Sequence, residues 1–279
     1  MTLRTILVSL TSTTSAEHLL QSAAILARRD NAHVIGFYVT ESLVVYPGIA
    51  MHIPETSYQN FVANQQAHAK EVKAIFDKFA QAETIPTEWR QVSSESGFLA
   101  DSIVANGRSV DLIVMPQEDD GEDRPQISNL QERVVKESGR PVLIIPRDYT
   151  PEKLGENVLL GWSDTREATR AVHDLIDVAK PDAAIHVLRI GKPPQDTLAD
   201  HTANDMAAAL ARHGAQVEIV HRDKDGHNVA EVLTHEAFEM GVDMIATGAF
   251  GHSRAYDFVI GAATRDLLSN AKLPVLFSK

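Results

Sequence analysis

Three glycines near the end of the chain have a spacing suited to holding phosphate. Gly248 and Gly251 follow an apolar run that ends at Thr247, and Gly261 comes ten positions after Gly251. Glycine lets the backbone approach a ligand closely, and the N–H groups at a helix start face an anion favourably. Thr264 adds a hydroxyl that can donate to the same anion. The pattern predicts a phosphate loop; the alternative is a plain turn followed by a packing glycine.

His252 lies inside this glycine stretch, where an imidazole can donate to a phosphate or cap the next helix; both roles stay open. The chain has 12 histidines and no cysteine. Disulfides and cysteine-based zinc sites are therefore excluded, and none of the histidines forms a His-Glu-x-x-His unit or a comparable metal-binding spacing. We expect no metal site, and we expect surface or lightly buried positions for histidines such as His221 and His227.

Charge and hydropathy restrict the partners of the chain. The net charge is −12, and 44% of the residues are hydrophobic. An acidic surface repels nucleic-acid backbones, so we expect no nucleic-acid partner. The apolar runs are shorter than the roughly 18 to 20 residues of a membrane span, and the run at residues 3–8 meets polar residues too soon for a signal peptide. We expect a cytoplasmic protein with no membrane partner.

The second half of the sequence resembles the first. Asp111 opens an apolar run that is followed by a loop, a helical stretch and Pro141 before another apolar run. Asp243 and Pro274 mark the same succession later in the chain. A repeat of this length indicates two copies of one unit. We predict domains at residues 1–150 and 151–279, joined by a linker rich in Pro and Gly near residues 149–155.

Each half alternates short apolar runs with amphipathic stretches. This alternation is typical of parallel sheets covered by helices on both faces. We therefore predict an α/β fold of two tandem, doubly wound, five-stranded parallel sheets. In the first copy Thr14 or Ser15 can cap the first helix, and in the second Asp164 or Thr165 can do so.

The spacing Gly248-x2-Gly251-x9-Gly261 resembles the ATP-binding signature G-x2-G-x9-G-[ST] of the universal stress protein family. The first loop of the second half, at residues 161–168, resembles the first loop of that family, and residues 185–187 and 274–276 resemble its second and last strands. The resemblance is strong in 156–279 and weaker in 1–150. It implies a tandem-type member with a Rossmann-like, adenine nucleotide alpha hydrolase-like fold.

The resemblance also implies a ligand and a site. The ligand would be ATP or another adenine nucleotide (ADP or AMP), with or without magnesium. Val187 would act through its backbone beside the adenine. The complete set of implied binding residues is Trp162, Ser163 and Val187 around the adenine, and Gly248, Gly251, His252, Gly261, Ala262, Ala263 and Thr264 around the ribose and phosphates.

Two residues depart from the family pattern. Ala262 replaces the Ser or Thr that follows the last glycine, which removes one hydroxyl contact to phosphate. Ser163 replaces the acidic residue at the end of the first strand, and Asp164 is shifted by one position. Both changes are expected to lower nucleotide affinity, although the backbone donors remain.

The first copy has lost the glycine loop. Pro116 removes an N–H where Gly248 stands in the second copy. The acidic stretch at residues 118–123 would repel a triphosphate, and Ser128 stands in place of the last glycine. We predict that residues 1–150 do not bind ATP in the manner of the family, and we interpret the acidic stretch as a solvated loop.

Four functions fit these observations to different degrees. The leading hypothesis is a non-enzymatic protein of the stress response that binds adenine nucleotide. The others are a slow ATPase, for which Asp266 is the nearest carboxylate, a dimerisation module without nucleotide, and, more distantly, an adenylating or flavin-binding enzyme. The family resemblance implies a homodimer, or two halves of one chain that pack as a dimer packs.

Overall fold

Buried apolar segments form the strands, and amphipathic segments form the helices that cover them. The computed structural model describes residues 2–41, 54–94, 99–117, 129–191, 197–251 and 257–279. In the first half the strands are β1 Thr5–Ser9, β2 His33–Thr40, β3 Thr87–Ser93, β4 Leu112–Pro116 and β5 Val142–Ile145, and the helices are α1 Thr13–Asp30, α2 Glu55–Ala82, α3 Leu99–Gly107 and α4 Leu130–Glu137.

The second half repeats this order of elements. Its strands are β6 Asn157–Trp162, β7 Ala184–Ile190, β8 Gln216–Arg222, β9 Met244–Gly248 and β10 Val275–Ser278, and its helices are α5 Arg166–Val178, α6 Thr197–Arg212, α7 Val229–Glu239 and α8 Asp257–Asn270. The strand order is β3-β2-β1-β4-β5 in the first half and β8-β7-β6-β9-β10 in the second, with all pairs inside a half parallel. The predicted fold class is confirmed.

The helices lie on two faces of the sheet and bury two hydrophobic clusters. One cluster includes Leu20 of α1 and Leu175 of α5. The other includes Ile103 of α3, Leu233 of α7 and Leu267 of α8. The strands point alternate side chains into the two clusters, which explains their continuous apolar runs.

The two halves share one continuous sheet because their edge strands pair. β10 runs antiparallel to β5, with Val275 opposite Ile144 and Phe277 opposite Val142. The ten strands therefore form one sheet. The pairing satisfies backbone groups of β5 and β10 that would otherwise lie on exposed edges. The two halves therefore pair with each other within one chain.

Side chains reinforce this junction on both faces of the sheet. On one face, Arg265 of α8 donates to Glu132 of α4 at 3.0 Å. On the other face, Arg29 of α1 donates to the carbonyl oxygens of Asp177 and Val178 at the end of α5, at 2.9 and 2.7 Å. The last carbonyls of a helix lie beyond its own hydrogen-bond ladder, so Arg29 acts as a C-terminal cap supplied by the other half.

Local hydrogen bonds set the helix and strand starts. Ser12, rather than Thr14 or Ser15, caps α1, because its hydroxyl accepts from the Ser15 N–H at 3.3 Å; the predicted cap was wrong by two or more residues. Thr165 caps α5 as predicted. In equivalent places, Asp111 accepts from backbone N–H groups that lead into β1, and Asp243 accepts from those that lead into β6.

Two further properties concern the described ranges only. None of the helices there combines the length and the apolar character that crossing a membrane requires. The same ranges contain no group of three or more His, Asp or Glu side chains arranged to hold a metal ion.

Glu132 makes the junction sensitive to acid. Burial raises the pKa of its carboxyl group, but hydrogen bonds from Arg265 and Lys136 outweigh burial, so the pKa is lowered from the ordinary 4.5. The unfolded chain therefore takes up this proton first as the pH falls. The ionised Glu132 carboxylate contributes its full stabilisation of the folded state above about pH 4.5. This stabilisation is lost as the pH falls through the lower pKa of the folded state.

We expect Glu132→Gln to lower the urea midpoint at pH 7, because it removes the charge that Arg265 and Lys136 share. The difference from wild type should shrink as the pH falls below 4.5. Urea titrations at several pH values measure this difference in midpoint. The control is Glu71→Gln, which changes a carboxylate on the exposed side of α2. A difference that stays constant down to pH 3.5 would contradict this assignment.

Candidate functional site

A cavity of about 380 Å³ opens where β6, β7 and β9 end in the second half. In this strand order the chain leaves β6 for β7 on one side, and β9 lies on the other. This reversal of strand order leaves a crevice beyond the carboxyl ends of the strands, where ligands bind in open α/β sheets. Apolar side chains of β7, α7 and α8 line its interior, namely Leu188, Ile190, Val229, Leu233 and Leu267.

Polar residues lie around this apolar interior. The loop after β6 contributes three of them, β9 and α8 contribute two threonines, and the turn after β8 contributes one lysine. These residues are Ser163, Asp164, Thr165, Thr247, Thr264 and Lys224. An apolar cavity with a few convergent polar groups is the usual form of a small-molecule site.

The loop after β6 is held rigidly. The Ser163 and Thr165 hydroxyls lie 3.2 Å apart, and Thr165 accepts from the Ala168 N–H at the start of α5. Arg189 donates to the Asp164 carboxylate at 3.1 Å, and Thr202 of α6 donates to it as well. Asp164 is thus fixed by neighbours at the mouth of the cavity.

Trp162 contributes to both sides of the sheet. It lines the cavity at the end of β6, but its buried ring belongs to the hydrophobic cluster under α5. Its Nε1 is buried and has no hydrogen-bond partner within the described ranges. A buried donor without a partner is costly, and such groups often mark places where a ligand or water completes the structure.

Packing against α5 requires one of the three predicted glycines and leaves little space at a second. A Cβ on Gly248 would lie 2.5 to 2.8 Å from backbone atoms of Glu167 and Ala168 at the start of α5. A Cβ on Gly251 would lie 3.1 Å from Oε2 of the buried Glu167 carboxylate. The glycine stretch therefore lies directly against α5, and on that side no space remains for a phosphate.

The third glycine has a different environment. Gly261 lies in α8, and a Cβ built there would meet no described atom within 4 Å. Among the described residues, neither a packing neighbour nor a positive φ explains a glycine at this position in a helix. The adjacent Ala262 is exposed to solvent. The described residues therefore leave this stretch of backbone uncovered.

Phe250 connects the glycine stretch to the rest of the fold. Its φ angle is 52°, in the left-handed region that side chains other than glycine, asparagine and aspartate seldom adopt. The Phe250 N–H donates to the Thr264 hydroxyl at 3.3 Å. The Lys136 ammonium of the first half lies 4.2 Å from the centre of its ring, a cation–π contact.

The structure places nine of the ten predicted binding residues, in three groups. Trp162, Ser163, Gly248, Ala263 and Thr264 line the cavity. Val187 is buried in the cluster on the opposite face of the sheet, with Leu188 next to it in the cavity wall. Gly251, Gly261 and Ala262 belong to the adjoining backbone without lining the cavity, and His252 lies outside the described residues.

Sequence reasoning missed part of the cavity wall. Lys224 follows β8, and Val229 and Leu233 lie on α7, but no motif singles them out. The available signal was positional, because Lys224 comes directly after a strand of the parallel sheet and ligands bind beyond such ends. The glycine spacing drew attention to β9 and α8 instead.

Asp266, the carboxylate considered for ATP hydrolysis, does not line the cavity. It accepts from the Asn270 side chain at 2.7 Å and from the Asn228 side chain at 3.4 Å. It lines instead a groove between α7 and α8. The helical phase therefore turns this carboxylate away from the cavity.

In the first half, the segment after β4 serves the junction between the halves. The Gln117 N–H donates to Ile145, and its side chain donates to the Ala271 carbonyl of the other half at 3.0 Å. The Gln131 side chain of α4 donates to the Pro116 carbonyl. The acidic stretch 118–123 and Ser128 lie outside the described residues, so the predicted loss of nucleotide binding in this half stays a prediction.

Comparison with known proteins agrees with the fold and extends over nearly the whole chain. The model of the universal stress protein family matches residues 2–146 and 156–279, so the chain belongs to the universal stress protein family. Universal stress protein Slr1230 of Synechocystis sp. is 23% identical over 189 residues; the match covers 67% of this chain and 64% of that protein. The match thus spans less than two thirds of this relative's length.

Solved structures show the same two-unit fold. A universal stress protein from Archaeoglobus fulgidus superposes with a TM-score of 0.71 at 15% identity, covering 98% of this chain and 96% of that one. A functionally unknown protein from Pseudomonas aeruginosa PAO1 superposes with a TM-score of 0.59 at 16% identity, covering 99% and 92%. At such identities the likeness concerns the fold.

We expect Gly248→Ala and Gly261→Ala to have opposite effects on stability. The new methyl group at position 248 would overlap the backbone of α5, at a cost of about 1–3 kcal/mol. At position 261 it meets open space, and alanine favours a helix over glycine by up to about 1 kcal/mol. Thermal unfolding of both variants measures this. A stable Gly248→Ala variant would show that α5 can move away from the glycine stretch.

Proposed function

We propose that this universal stress protein binds an adenine nucleotide in the cavity of its second half. The observation that carries the proposal is the cavity itself, which lies at the reversal of strand order and is bordered by the glycine-bearing end of β9 and by Ala263 and Thr264 of α8. The glycine spacing at this point resembles the ATP-binding signature of the family. The site is therefore where both the fold and the motif lead us to expect a nucleotide.

The apolar interior and the polar mouth of the cavity suit different parts of a nucleotide. The walls formed by Leu188, Val229 and Leu233 suit a flat aromatic base, which gains from leaving water. The hydroxyls of Ser163 and Thr247 suit a ribose, since each can donate and accept a hydrogen bond. The backbone near Gly261 is open to phosphate oxygens.

Binding without hydrolysis fits this arrangement better than an ATPase. Hydrolysis requires a group that positions water and usually a metal ligand. Asp266 is turned away, and Asp164 at the cavity mouth is already paired with Arg189. We therefore propose a regulatory role, in which the nucleotide shifts a conformational equilibrium in proportion to its preference for one state.

The proposal predicts one nucleotide per chain. Calorimetric titration of ATP, ADP and AMP into nucleotide-stripped protein, with and without magnesium, is expected to show a single site. Gly261→Asp is expected to reduce affinity at least about tenfold, because a carboxylate next to the phosphates repels them. Ala208→Asp, which places the same charge on the exposed side of α6, is the matched control.

The same titration distinguishes the competing functions. Absence of heat and of any thermal shift at millimolar nucleotide would favour a module that acts through protein contacts alone, with Ala262 and Ser163 as the disabling changes. Phosphate release that Gly251→Asp abolishes would favour the slow ATPase. Equal binding by wild type and Gly261→Asp would place the ligand elsewhere.

A further inference from the structure

We propose that the groove between α7 and α8 is the contact surface of a homodimer, in which Phe238 of each copy packs into the groove of the other. Among the described residues, only Leu267 lines both this groove and the cavity of the proposed function. The inference therefore goes beyond nucleotide binding and does not depend on it. Three observations carry it: the shape of the surface, its charges, and the corresponding surface of the first half.

An exposed aromatic ring and an apolar groove lie side by side on this surface. The groove has a volume of about 810 Å³, and its apolar wall includes Ala237, Val242, Ile245 and Leu273. Phe238 of α7 lines the same groove and is 80% exposed, more than any other large hydrophobic residue among those described. Contiguous apolar surface of this kind marks a place where a protein meets a partner.

In the first half a polar residue stands where Phe238 stands in the second. When Asp111 is aligned on Asp243, Asn106 of α3 takes the position of Phe238. The Asn106 side chain donates to the Ser102 carbonyl at 2.9 Å, within its own helix. The exposed ring is therefore a property of the second half and not of the repeat.

An ion pair crosses the corresponding helix surface of the first half. Arg133 of α4 donates to the Asp101 carboxylate of α3 at 2.6 Å. Their equivalents in the second half are Asp266 and Leu233, which cannot form such a pair. The α7–α8 surface thus has no counterpart of the bridge that joins α3 to α4, and its apolar groove stays open among the described residues.

The two ends of the groove carry opposite charges. Glu231, in the first turn of α7, and Asp266 of α8 lie at one end, and the Asn228 side chain donates to Asp266 at 3.4 Å. Lys272 lies at the other end, just beyond α8, where it is exposed. Within the described ranges, none of these three residues pairs with an oppositely charged Lys, Arg, Asp or Glu side chain. The charges are therefore left for a partner.

A second copy of the chain suits this surface because the surface is complementary to itself. A two-fold contact uses the same patch on both partners, so the patch must contain both a projecting group and a place that receives it. The Phe238 ring and the neighbouring groove meet this requirement, and aromatic residues are enriched in the cores of interfaces. A two-fold axis across the groove also reverses its direction, which brings Lys272 of each copy to the acidic end of the other.

The sheet edge at the junction does not offer an alternative contact of the same kind. β5 and β10 already pair with each other inside one chain. Two chains therefore cannot associate through these strands without opening the junction, whereas the α7–α8 surface is free among the described residues.

The test measures the dissociation constant of the dimer by sedimentation equilibrium of the full chain. Wild type is expected to dimerise. Phe238→Asn introduces the residue that the first half has at this position and is expected to raise the dissociation constant at least about tenfold, because each dimer loses two buried rings. Tyr58→Asn, which changes the other exposed aromatic residue of the described ranges, is the matched control and should leave the constant unchanged. Thermal unfolding verifies that both variants are folded.

Charge reversal tests the two-fold arrangement separately. Lys272→Glu and Asp266→Lys are each expected to weaken the dimer about fivefold, because each places like charges together at both ends of the groove. The double variant has the net charge of wild type and again presents opposite charges across the axis. It is expected to dimerise more tightly than either single variant.

Three results would overturn the inference. A wild type that stays monomeric at about 1 mM protein would show that the groove does not receive a second copy. A dimer whose dissociation constant is the same in Phe238→Asn would use another surface. A double charge variant that is weaker than both single variants would exclude the two-fold arrangement. None of these results bears on nucleotide binding, so the proposed function is tested independently.

Discussion

The antiparallel pairing of β5 with β10 is the contact on which the rest of the structure depends. A parallel five-stranded sheet ends in a strand whose backbone groups on one side have no partner, and each half of this chain would expose such a strand. By pairing the two, the chain builds one sheet with a shared pair of hydrophobic layers. Every helix contact between the halves, including the Arg265–Glu132 pair, follows from the geometry that this pairing sets.

The same junction explains why the halves differ. In the first half, the residues after β4 are committed to the other half, since Gln117 donates to a carbonyl at the end of α8. In the second half, the last residues of β9 border a cavity, and the Phe250 ring after it contacts the Lys136 ammonium of the first half. The fourth strand of each half is thus used differently: in the first half it leads into a contact across the junction, and in the second half its end borders a cavity.

Much of the fold could be predicted from the sequence, because buried parallel strands give continuous apolar runs and the repeat of Asp111 and Asp243 marks equivalent positions. The predicted cap at Thr14 or Ser15 failed because several neighbouring hydroxyls compete, and only the three-dimensional start of α1 selects Ser12. The site was predictable in part. Gly248 and Thr264 line the cavity as expected, but motif spacing cannot reveal that Glu167 packs against the glycines or that Lys224 reaches the cavity from a strand two positions away.

Glu132 and Arg265 occupy equivalent positions in the two repeats, and yet they carry opposite charges. In a symmetric dimer of identical units, residues near the axis face their own copies, so such a contact would place two glutamates or two arginines together. Opposite charges can meet there only because duplication placed both units in one chain. The complementary pair therefore requires two units of different sequence, which this chain supplies, and their encounter is intramolecular and independent of protein concentration.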